Sequence, residues 1–420
     1  MRMISKKTDI FVYANWAGTE SPKKMGVLSA HQAKGRKTFS FKYEKNWLNS
    51  NEQIILDPDI GWYSGQQYPE GKENFGIFLD SMPDNWGRTL MKRRALQKAK
   101  ELGIKPPTLH EIDYLLGVYD KSRLGGLRFK LDADGPFLDD NEDFPTPPWS
   151  SVRELQYAAY MLENKNDNAA IKKWLDIILA PGSSLGGARP KANVQDNNGH
   201  LWIAKFPSKN DDVDKAAWEF LAYNLAIKAG INMADSKFEK VAGHHHTFFT
   251  KRFDRDADRR IHFASAMTMT GNTEEKLRTK TASYLEIAEF IQFYGSDIES
   301  DLHQLWKRIV FNIAISNTDD HLRNHGFIIA RKGWKLSPAF DINPSNDKAG
   351  LALNIDIENN ALDFDLARNV GDYFQLNNEQ MDKIIWQVTT TVSQWQKLAR
   401  QIGISRSEIE IMEGAFNTGR

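Results

Sequence analysis

The apolar pattern of this chain changes part-way along its length, and this change constrains the fold more than any single motif. From Asp9 to about Tyr63, short apolar runs alternate with Gly, Pro, Asn and Lys clusters, which is typical of strands joined by turns. From Ser283 onward most segments have the period of amphipathic helices, most clearly from Asp301 to Asn317. The sequence therefore predicts an α+β protein with a mixed first part and a mostly helical second part.

Length and composition limit the possible classes of protein. A chain of 420 residues exceeds what one hydrophobic core usually holds, so we expect two or three domains. The 55 basic and 55 acidic side chains cancel, so no overall field attracts the molecule to nucleic acid or to an anionic membrane. The absence of cysteine excludes disulfides, thiolate metal sites and cysteine nucleophiles. With no apolar leader and no run of eighteen apolar residues, we expect a cytoplasmic protein without a membrane partner.

The clearest candidate boundary is the segment 133–149, which is rich in proline and acidic residues and has almost no periodicity. Residues 1–132 before it are predicted to form a β-rich N-terminal subdomain. Residues 150–254 after it contain a Gly-rich loop, a strand and an amphipathic helix in that order, as in a nucleotide-binding α/β part. Residues 255–420 are predicted to form a helical lobe.

A polar run follows the strongest predicted helix. Asp319 and Asn324 lie five residues apart, and Asp341 follows a hairpin, with Phe340 expected to pack inward. Phosphoryl transfer needs a base that positions a hydroxyl and two oxygen ligands for Mg²⁺, and these three residues could supply them. The spacing alone is weak evidence, because Asp and Asn also favour loops for local reasons and Asp341 could simply cap a helix.

A lysine and a Gly-rich loop precede that run. Lys205 lies on the same strand face as Leu201 and Ile203, where burying an ammonium is costly unless an anion receives it. A nucleotide phosphate could be that anion, with Glu219 steadying the ammonium, although a lysine tip that reaches water explains the pattern too. The loop from Gly182 to Lys191 has small residues that let main-chain amides approach phosphates, but it lacks the Walker A pattern.

Other interpretations remain open at this point. Asp319, Asp320, His321 and His325 could form a metallohydrolase cluster. The three histidines after Gly243 are better explained as a polar turn, because consecutive side chains in a strand point to opposite faces. A basic run from Lys92 to Lys100 is typical of a solvated helix face. A non-enzyme scaffold that binds a DNA-binding partner is a further alternative.

Several ordered segments together resemble the HipA family of toxin kinases, which belong to bacterial type II toxin-antitoxin systems. The resemblance extends over nearly the whole chain, in the segments FLDSMPDNWGR, SSLGGARPKA, WIAKFP, KRFDR, ISNTDDHLRNHGF and LSPAFD. It implies a serine/threonine protein kinase that uses ATP and Mg²⁺. The implied fold is two-lobed and protein-kinase-like, with an extra N-terminal subdomain.

The resemblance also implies roles for individual residues. Asp319 would be the catalytic base, Asn324 and Asp341 the Mg²⁺ ligands, and Lys205 the lysine that binds phosphate. Ser184 would be the autophosphorylated loop serine, and the adjacent Ser183 is a second possible acceptor. The further residues implied to contact ATP are Ser184, Leu185, Gly186, Gly187, Ala188, Lys191, Lys251, Arg252, Phe253 and His321.

The resemblance implies three kinds of partner. The first is a protein substrate such as an aminoacyl-tRNA synthetase, whose phosphorylation stalls translation. The second is a small helix-turn-helix antitoxin of the HipB type. The third is operator DNA, which we expect to be contacted only through the antitoxin, because this chain has no DNA-reading motif of its own.

Overall fold

The computed structural model describes residues 6–16, 21–33, 36–50, 53–138, 146–164, 175, 178, 189–347 and 349–417. The chain divides into two compact units, each built from two separate stretches. The first unit comprises Met1–Lys209 and Arg252–Ala264, and the second comprises Asn210–Lys251 and Ser265–Arg420. Both units contain strands and helices, so the predicted α+β class is confirmed.

The first unit begins with an antiparallel sheet of four strands, whose order across the sheet is Arg36–Tyr43, Lys23–Ala33, Lys6–Ala14 and Leu127–Lys130. Alternate residues of the first strand, Ile10, Val12 and Ala14, are fully buried, because every second side chain of a strand faces the same side. The predicted β-rich start of the chain is thus confirmed. The strands are β1 (Lys6–Ala14), β2 (Lys23–Ala33), β3 (Arg36–Tyr43) and β4 (Leu127–Lys130).

Asn85–Leu102 is the longest helix among the described residues of the first unit. That helix begins where the Asp84 carboxylate accepts a hydrogen bond from the Gly87 N–H, and it ends at Gly103, which has a φ of 65°. A shorter helix begins at Glu111, where the Asp113 side chain accepts a hydrogen bond from the His110 N–H. Other helices within the described ranges are Lys45–Ser50, Gly76–Asp80, Glu111–Leu116 and Val152–Glu163, with 3₁₀ turns at Asp120–Ser122 and Trp149–Ser151.

Later strands of this unit form hairpins. β5 (Lys191–Gln195) and β6 (Leu201–Lys205) pair antiparallel, as do the short β9 (Arg255–Asp256) and β10 (Arg259–Arg260). β11 (Phe263–Ser265) follows them.

A buried network of charged side chains holds Arg252–Ala264 in the first unit. The Asp254 carboxylate accepts hydrogen bonds from the guanidinium groups of Arg252 and Arg255, and from the Gly125 N–H at 2.8 Å. A second buried carboxylate, Asp120, is bonded by the guanidinium groups of Arg128 and Arg260. Segments more than 120 residues apart in sequence are therefore joined by the Arg260–Asp120 ion pair and by the hydrogen bond from Gly125 to Asp254.

The second unit is mostly helical, as predicted. Its strands form two antiparallel pairs, β7 (Ser236–Glu239) with β8 (Thr247–Lys251) and β12 (Gly326–Ala330) with β13 (Gly333–Leu336). Its α-helices are Lys215–Lys228, Ala266–Met269, Glu274–Leu277, Tyr284–Tyr294, Ile298–Ala314, Phe364–Asn369, Asn378–Val392, Trp395–Ile402 and Arg406–Ile411. Its 3₁₀ turns are Leu322–Asn324, Gly371–Phe374 and Glu413–Ala415.

Helix Ile298–Ala314 lies at the centre of this unit and packs against three other helices: Tyr284–Tyr294, Phe364–Asn369 and Asn378–Val392. It begins and ends three residues earlier than predicted. Its end is fixed by a turn in which Ser316 has a φ of 49° and the Asn317 N–H donates to the Asn312 carbonyl. The residues predicted to form its apolar face are fully buried: Leu302, Leu305, Trp306, Ile309, Val310 and Ile313.

The three consecutive histidines lie in a turn between β7 and β8, as predicted. Gly243 opens this turn with a φ of 74°, and the His246 Nδ1 lies 2.5 Å from the Asp214 carboxylate. Asp214 also caps helix Lys215–Lys228 by accepting from the Ala217 N–H, so this histidine stabilises a helix start. None of the described helices combines the length and apolar character needed to cross a bilayer.

Candidate active site

A short loop after helix Ile298–Ala314 carries two of the predicted site residues. Asp319 is exposed, whereas Asn324 is buried. The Asn324 side-chain N–H donates to the main-chain carbonyl of Asp319 at 3.0 Å, and the His321 N–H donates to the same carbonyl at 2.9 Å. Because the amide nitrogen of Asn324 is used in this bond, its amide oxygen is the atom that can bind a metal.

Asp341 follows a segment held by main-chain hydrogen bonds. The Ser337 N–H donates to the Gly326 carbonyl at 2.9 Å, and Ala339 exchanges hydrogen bonds with the 232–234 segment. Phe340 is buried, as predicted, and Asp341 itself has a φ of 59°. Residues other than glycine rarely adopt this left-handed conformation, and such outliers cluster at functional sites. The strained conformation of Asp341 therefore supports a functional role for it.

The donor atoms of these two residues fit Mg²⁺. Asp341 offers a carboxylate and Asn324 an amide oxygen, and hard oxygen donors are the ligands that Mg²⁺ prefers. Across the described ranges, no group of three or more His, Asp or Glu side chains could hold a metal ion. The alternative metallohydrolase cluster at 319–325 is therefore not supported.

Asp320, next to Asp319, is at the centre of a buried hydrogen-bond network. Its Oδ2 atom accepts from the Tyr284 hydroxyl at 2.5 Å, the Asn312 side-chain N–H at 2.6 Å and the His325 Nε2 at 2.8 Å. Burial opposes ionisation of Asp320, but His325 and these hydrogen bonds outweigh it and hold its pKa below the usual range. Burial, together with the Asp320 charge, raises the pKa of the Tyr284 hydroxyl well above its ordinary value.

Arg308 lies one helical turn before Asn312 and is also buried. Its guanidinium donates to the Ser337 carbonyl at 2.6 Å, at the start of the segment that leads to Asp341. Burial lowers the pKa of Arg308 to about 10, with Asp320 and Asp301 opposing that shift, so the side chain stays charged at neutral pH. The sequence interpretation missed Tyr284, Arg308 and Asn312. Polar residues on the apolar face of helix Ile298–Ala314 were the available signal for the latter two.

Two predicted lysines lie in the first unit. Lys205, the last residue of β6, is buried, and in the strand register it stands opposite Lys191. The Lys191 ammonium lies 2.9 Å from the Asp84 carboxylate, and both groups are almost fully buried. Lys191 therefore has a protein anion as its partner, while Glu219, the residue expected to steady Lys205, is buried in helix Lys215–Lys228 of the second unit.

Lys251, Arg252 and Phe253, which the family resemblance implies to contact ATP, differ in their surroundings. Lys251 ends β8, and its N–H donates to the Asp235 carbonyl at 2.7 Å. The Arg252 guanidinium is buried in the charged network described above, so a contact of Arg252 with adenine is expected only from its main chain. The Phe253 ring lies 5.8 Å from the ring of Phe263. The predicted loop residues Ser183, Ser184, Leu185, Gly186, Gly187 and Ala188 lie outside the described residues.

A family model and one curated relative are similar to this chain in sequence. The family model of the HipA-like C-terminal domain matches residues 183–395. A Haemophilus influenzae protein named "Putative kinase" is 24% identical over 207 residues, which is 43% of this chain and 60% of that protein. The chain thus spans less than two thirds of the length of this curated relative.

A solved structure is similar over almost the full length of the chain. It is described as the Shewanella oneidensis MR-1 toxin-antitoxin system HipA, HipB and its operator DNA complex. The match has a TM-score of 0.67 at 16% identity, and it covers 97% of this chain and 94% of the other. The fold is therefore the kinase-like α+β fold of HipA, and the chain belongs to the HipA family.

Proposed function

We propose that this protein is an ATP- and Mg²⁺-dependent serine/threonine protein kinase that acts as the toxin of a toxin-antitoxin module. The observation that carries the proposal is the arrangement of the second unit. An exposed Asp319 has its carbonyl bound by Asn324, and the strained Asp341 ends a firmly held segment. Membership of the HipA family supports the same conclusion.

Each residue has a definite task in such a transfer. The substrate hydroxyl oxygen bonds to the γ-phosphorus of ATP while the bond to ADP breaks, and Asp319 accepts the hydroxyl proton. Because Asp319 is exposed, its carboxylate can reach a protein substrate. Asn324 and Asp341 would hold Mg²⁺, which neutralises phosphate charge when bound, and Lys205 would bind a phosphate.

The finer parts of the proposal follow from the family resemblance. Ser184 or the adjacent Ser183 would accept phosphate in an autophosphorylation that switches the enzyme off. An aminoacyl-tRNA synthetase is the class of target that we propose. A HipB-type antitoxin as partner is supported by the Shewanella oneidensis structure, which contains HipB and operator DNA. The equal numbers of basic and acidic residues favour DNA contact through that partner only.

The test is phosphate transfer from radiolabelled ATP by the full chain. Asp319→Ala and Asp341→Ala should each lower the rate of incorporation by at least about a hundredfold, because each removes a base or a metal ligand. Their melting temperatures should stay close to that of the wild type. Asp258→Ala, which removes an exposed aspartate of the first unit, is the matched control and should transfer normally. Wild-type rates in either site variant would contradict the assignment.

A second candidate function is a catalytically silent scaffold that binds a DNA-binding antitoxin. It is supported by the Shewanella oneidensis structure, which contains HipB and operator DNA. Under that alternative, incubation with Mg²⁺-ATP leaves the intact mass of the protein unchanged. A mass gain of one phosphate that requires Asp319 would exclude the scaffold alternative.

A further inference from the structure

We propose that Asp320 is a positioning residue, which holds the loop with Asp319 and Asn324 in the geometry that phosphoryl transfer needs. The inference rests on the proposed function, because it assigns a role to the neighbour of the proposed base. Asp320 touches neither of these functional side chains through its own carboxylate. It acts through the main chain of the loop.

The carboxylate of Asp320 connects the loop to two helices. Its three donors are Tyr284 at the start of helix Tyr284–Tyr294, Asn312 in helix Ile298–Ala314, and His325 at the end of the loop itself. Hydrogen bonds to an ionised acceptor are about twice as strong as those between neutral groups. Because Asp320 is only 2% exposed, water does not compete for these hydrogen bonds, and they fix the position of the loop at Asp320.

The two fixed points of the loop are the chain neighbours of the two proposed functional residues. Asp320 follows Asp319 directly, and His325 follows Asn324 directly. Consecutive residues are joined by a rigid planar peptide, so a shift of either fixed residue moves its neighbour. The hydrogen bond from the Asn324 amide to the Asp319 carbonyl closes the loop between these points. A weaker network around Asp320 would therefore displace the proposed base and the proposed metal ligand together.

The orientation of Asn312 is itself fixed. The Asn317 side-chain N–H donates to the Asn312 side-chain oxygen at 3.0 Å, which turns the Asn312 amide nitrogen toward Asp320. One turn earlier on the same helix, Arg308 donates to the Ser337 carbonyl, four residues before Asp341. Residues four apart lie on one helix face, so a single helix holds both segments that carry proposed Mg²⁺ ligands.

A purely stabilising network makes a different prediction from a positioning one. If the Asp320 network only stabilises the fold, removal of the Tyr284 hydroxyl should lower the melting temperature and leave the rate per folded molecule unchanged. If it positions the loop, the rate should fall in molecules that remain folded. Tyr43 provides the comparison, because it is a buried tyrosine of the first unit whose hydroxyl has no hydrogen-bond partner within the described part of the chain.

The experiment compares Tyr284→Phe and Asp320→Asn with Tyr43→Phe in the full chain. Three quantities are measured: the initial rate of phosphate incorporation from labelled ATP with its KM, the Mg²⁺ concentration that gives half-maximal binding of a fluorescent ATP analogue, and the melting temperature. We expect Asp320→Asn to lower the rate about a hundredfold, since a misplacement of 1 Å in a site can lower the rate by about that factor. Tyr284→Phe removes one of the three hydrogen bonds to Asp320, so we expect a smaller loss of about tenfold. KM for ATP should change less than about twofold, because Lys205, the proposed phosphate ligand, stays in place. The Mg²⁺ concentration required should rise, because the proposed ligand Asn324 is displaced.

The outcomes separate the two proposals. A Tyr284→Phe protein with the rate and Mg²⁺ requirement of Tyr43→Phe would overturn the positioning role, while loss of transfer in Asp319→Ala would leave the proposed function standing. If the wild type neither binds the ATP analogue nor transfers phosphate, the proposed function fails and the positioning role fails with it. Should Asp320→Asn not fold, the near-isosteric Tyr284→Phe still gives the decisive comparison.

Discussion

Two buried aspartates, one in each unit, have similar exposure and opposite electrostatics. Asp254 in the first unit is 1% exposed, and Asp301 in the second is 3% exposed. Burial disfavours the charge of Asp254, but the guanidinium groups of Arg252 and Arg255 outweigh it and hold its pKa well below the usual range. Burial raises the pKa of Asp301 to about 6, and the hydrogen bond from the main-chain N–H of Leu336, which favours the charged carboxylate, does not offset it. The direct cationic partners, rather than the depth of burial, decide whether a buried carboxylate stabilises its unit.

This comparison predicts that Asp254 is a structural residue. Asp254→Asn leaves two buried guanidinium groups without their carboxylate, and we expect a loss of about 3–5 kcal/mol in the free energy of unfolding. Because the pKa of Asp254 is depressed in the folded state, this stability is present above the unfolded pKa near 4 and is lost as the pH falls. Denaturant unfolding at neutral and acid pH measures both effects.

The control for that variant is Asp256→Asn. Asp256 lies two residues after Asp254 in sequence, and its carboxylate forms an exposed ion pair with Arg259. Exposed pairs contribute about 0–1 kcal/mol, so the control should unfold almost as the wild type does. If the two variants had equal stability, the first network would not hold Arg252–Ala264 in its unit as we describe.

The opposite sign is expected at Asp301. The native state binds its proton more strongly than the unfolded state, so the contribution of Asp301 to stability is greatest at acid pH and declines as the pH rises through about 6. Asp301→Asn keeps an acceptor for the Leu336 N–H and removes the buried charge. We expect it to stabilise the protein by about 1–2 kcal/mol at pH 8, after allowance for solvent screening, by less at pH 5, and by nothing measurable below the unfolded pKa near 4. Thermal unfolding across this pH range is the measurement, and a gain that does not depend on pH would contradict the interpretation.

The sequence predicted the regular elements well, because burial follows the 2-residue period of strands and the 3.6-residue period of helices. The apolar face of helix Ile298–Ala314 is an example. Helix ends were less predictable, since they depend on local hydrogen bonds such as the one from Asp113 to the His110 N–H. The division into two units, each of two stretches, was not predicted at all, because it depends on ion pairs between residues far apart in sequence, such as Arg260 and Asp120.

The candidate site was predictable only in part for the same reason. Asp319, Asn324 and Asp341 were proposed from the sequence because together they could supply a base and two oxygen ligands for Mg²⁺, and their roles stay predictions. Asp320 appears in the sequence as one more polar loop residue. The role that we propose for it rests on contacts that only the fold creates, such as the hydrogen bond from Tyr284, 36 residues away.

The assignment of Asp319 as a kinase base is tested by comparing all phosphorylated proteins in a bacterial host that expresses either the wild type or Asp319→Ala. We expect at least one serine or threonine site, on this chain or on a host protein, that is phosphorylated with the wild type and not with the variant. Identical sets of phosphorylated sites in the two cultures, with both proteins folded and equally abundant, would contradict the assignment of Asp319 as the base of a protein kinase.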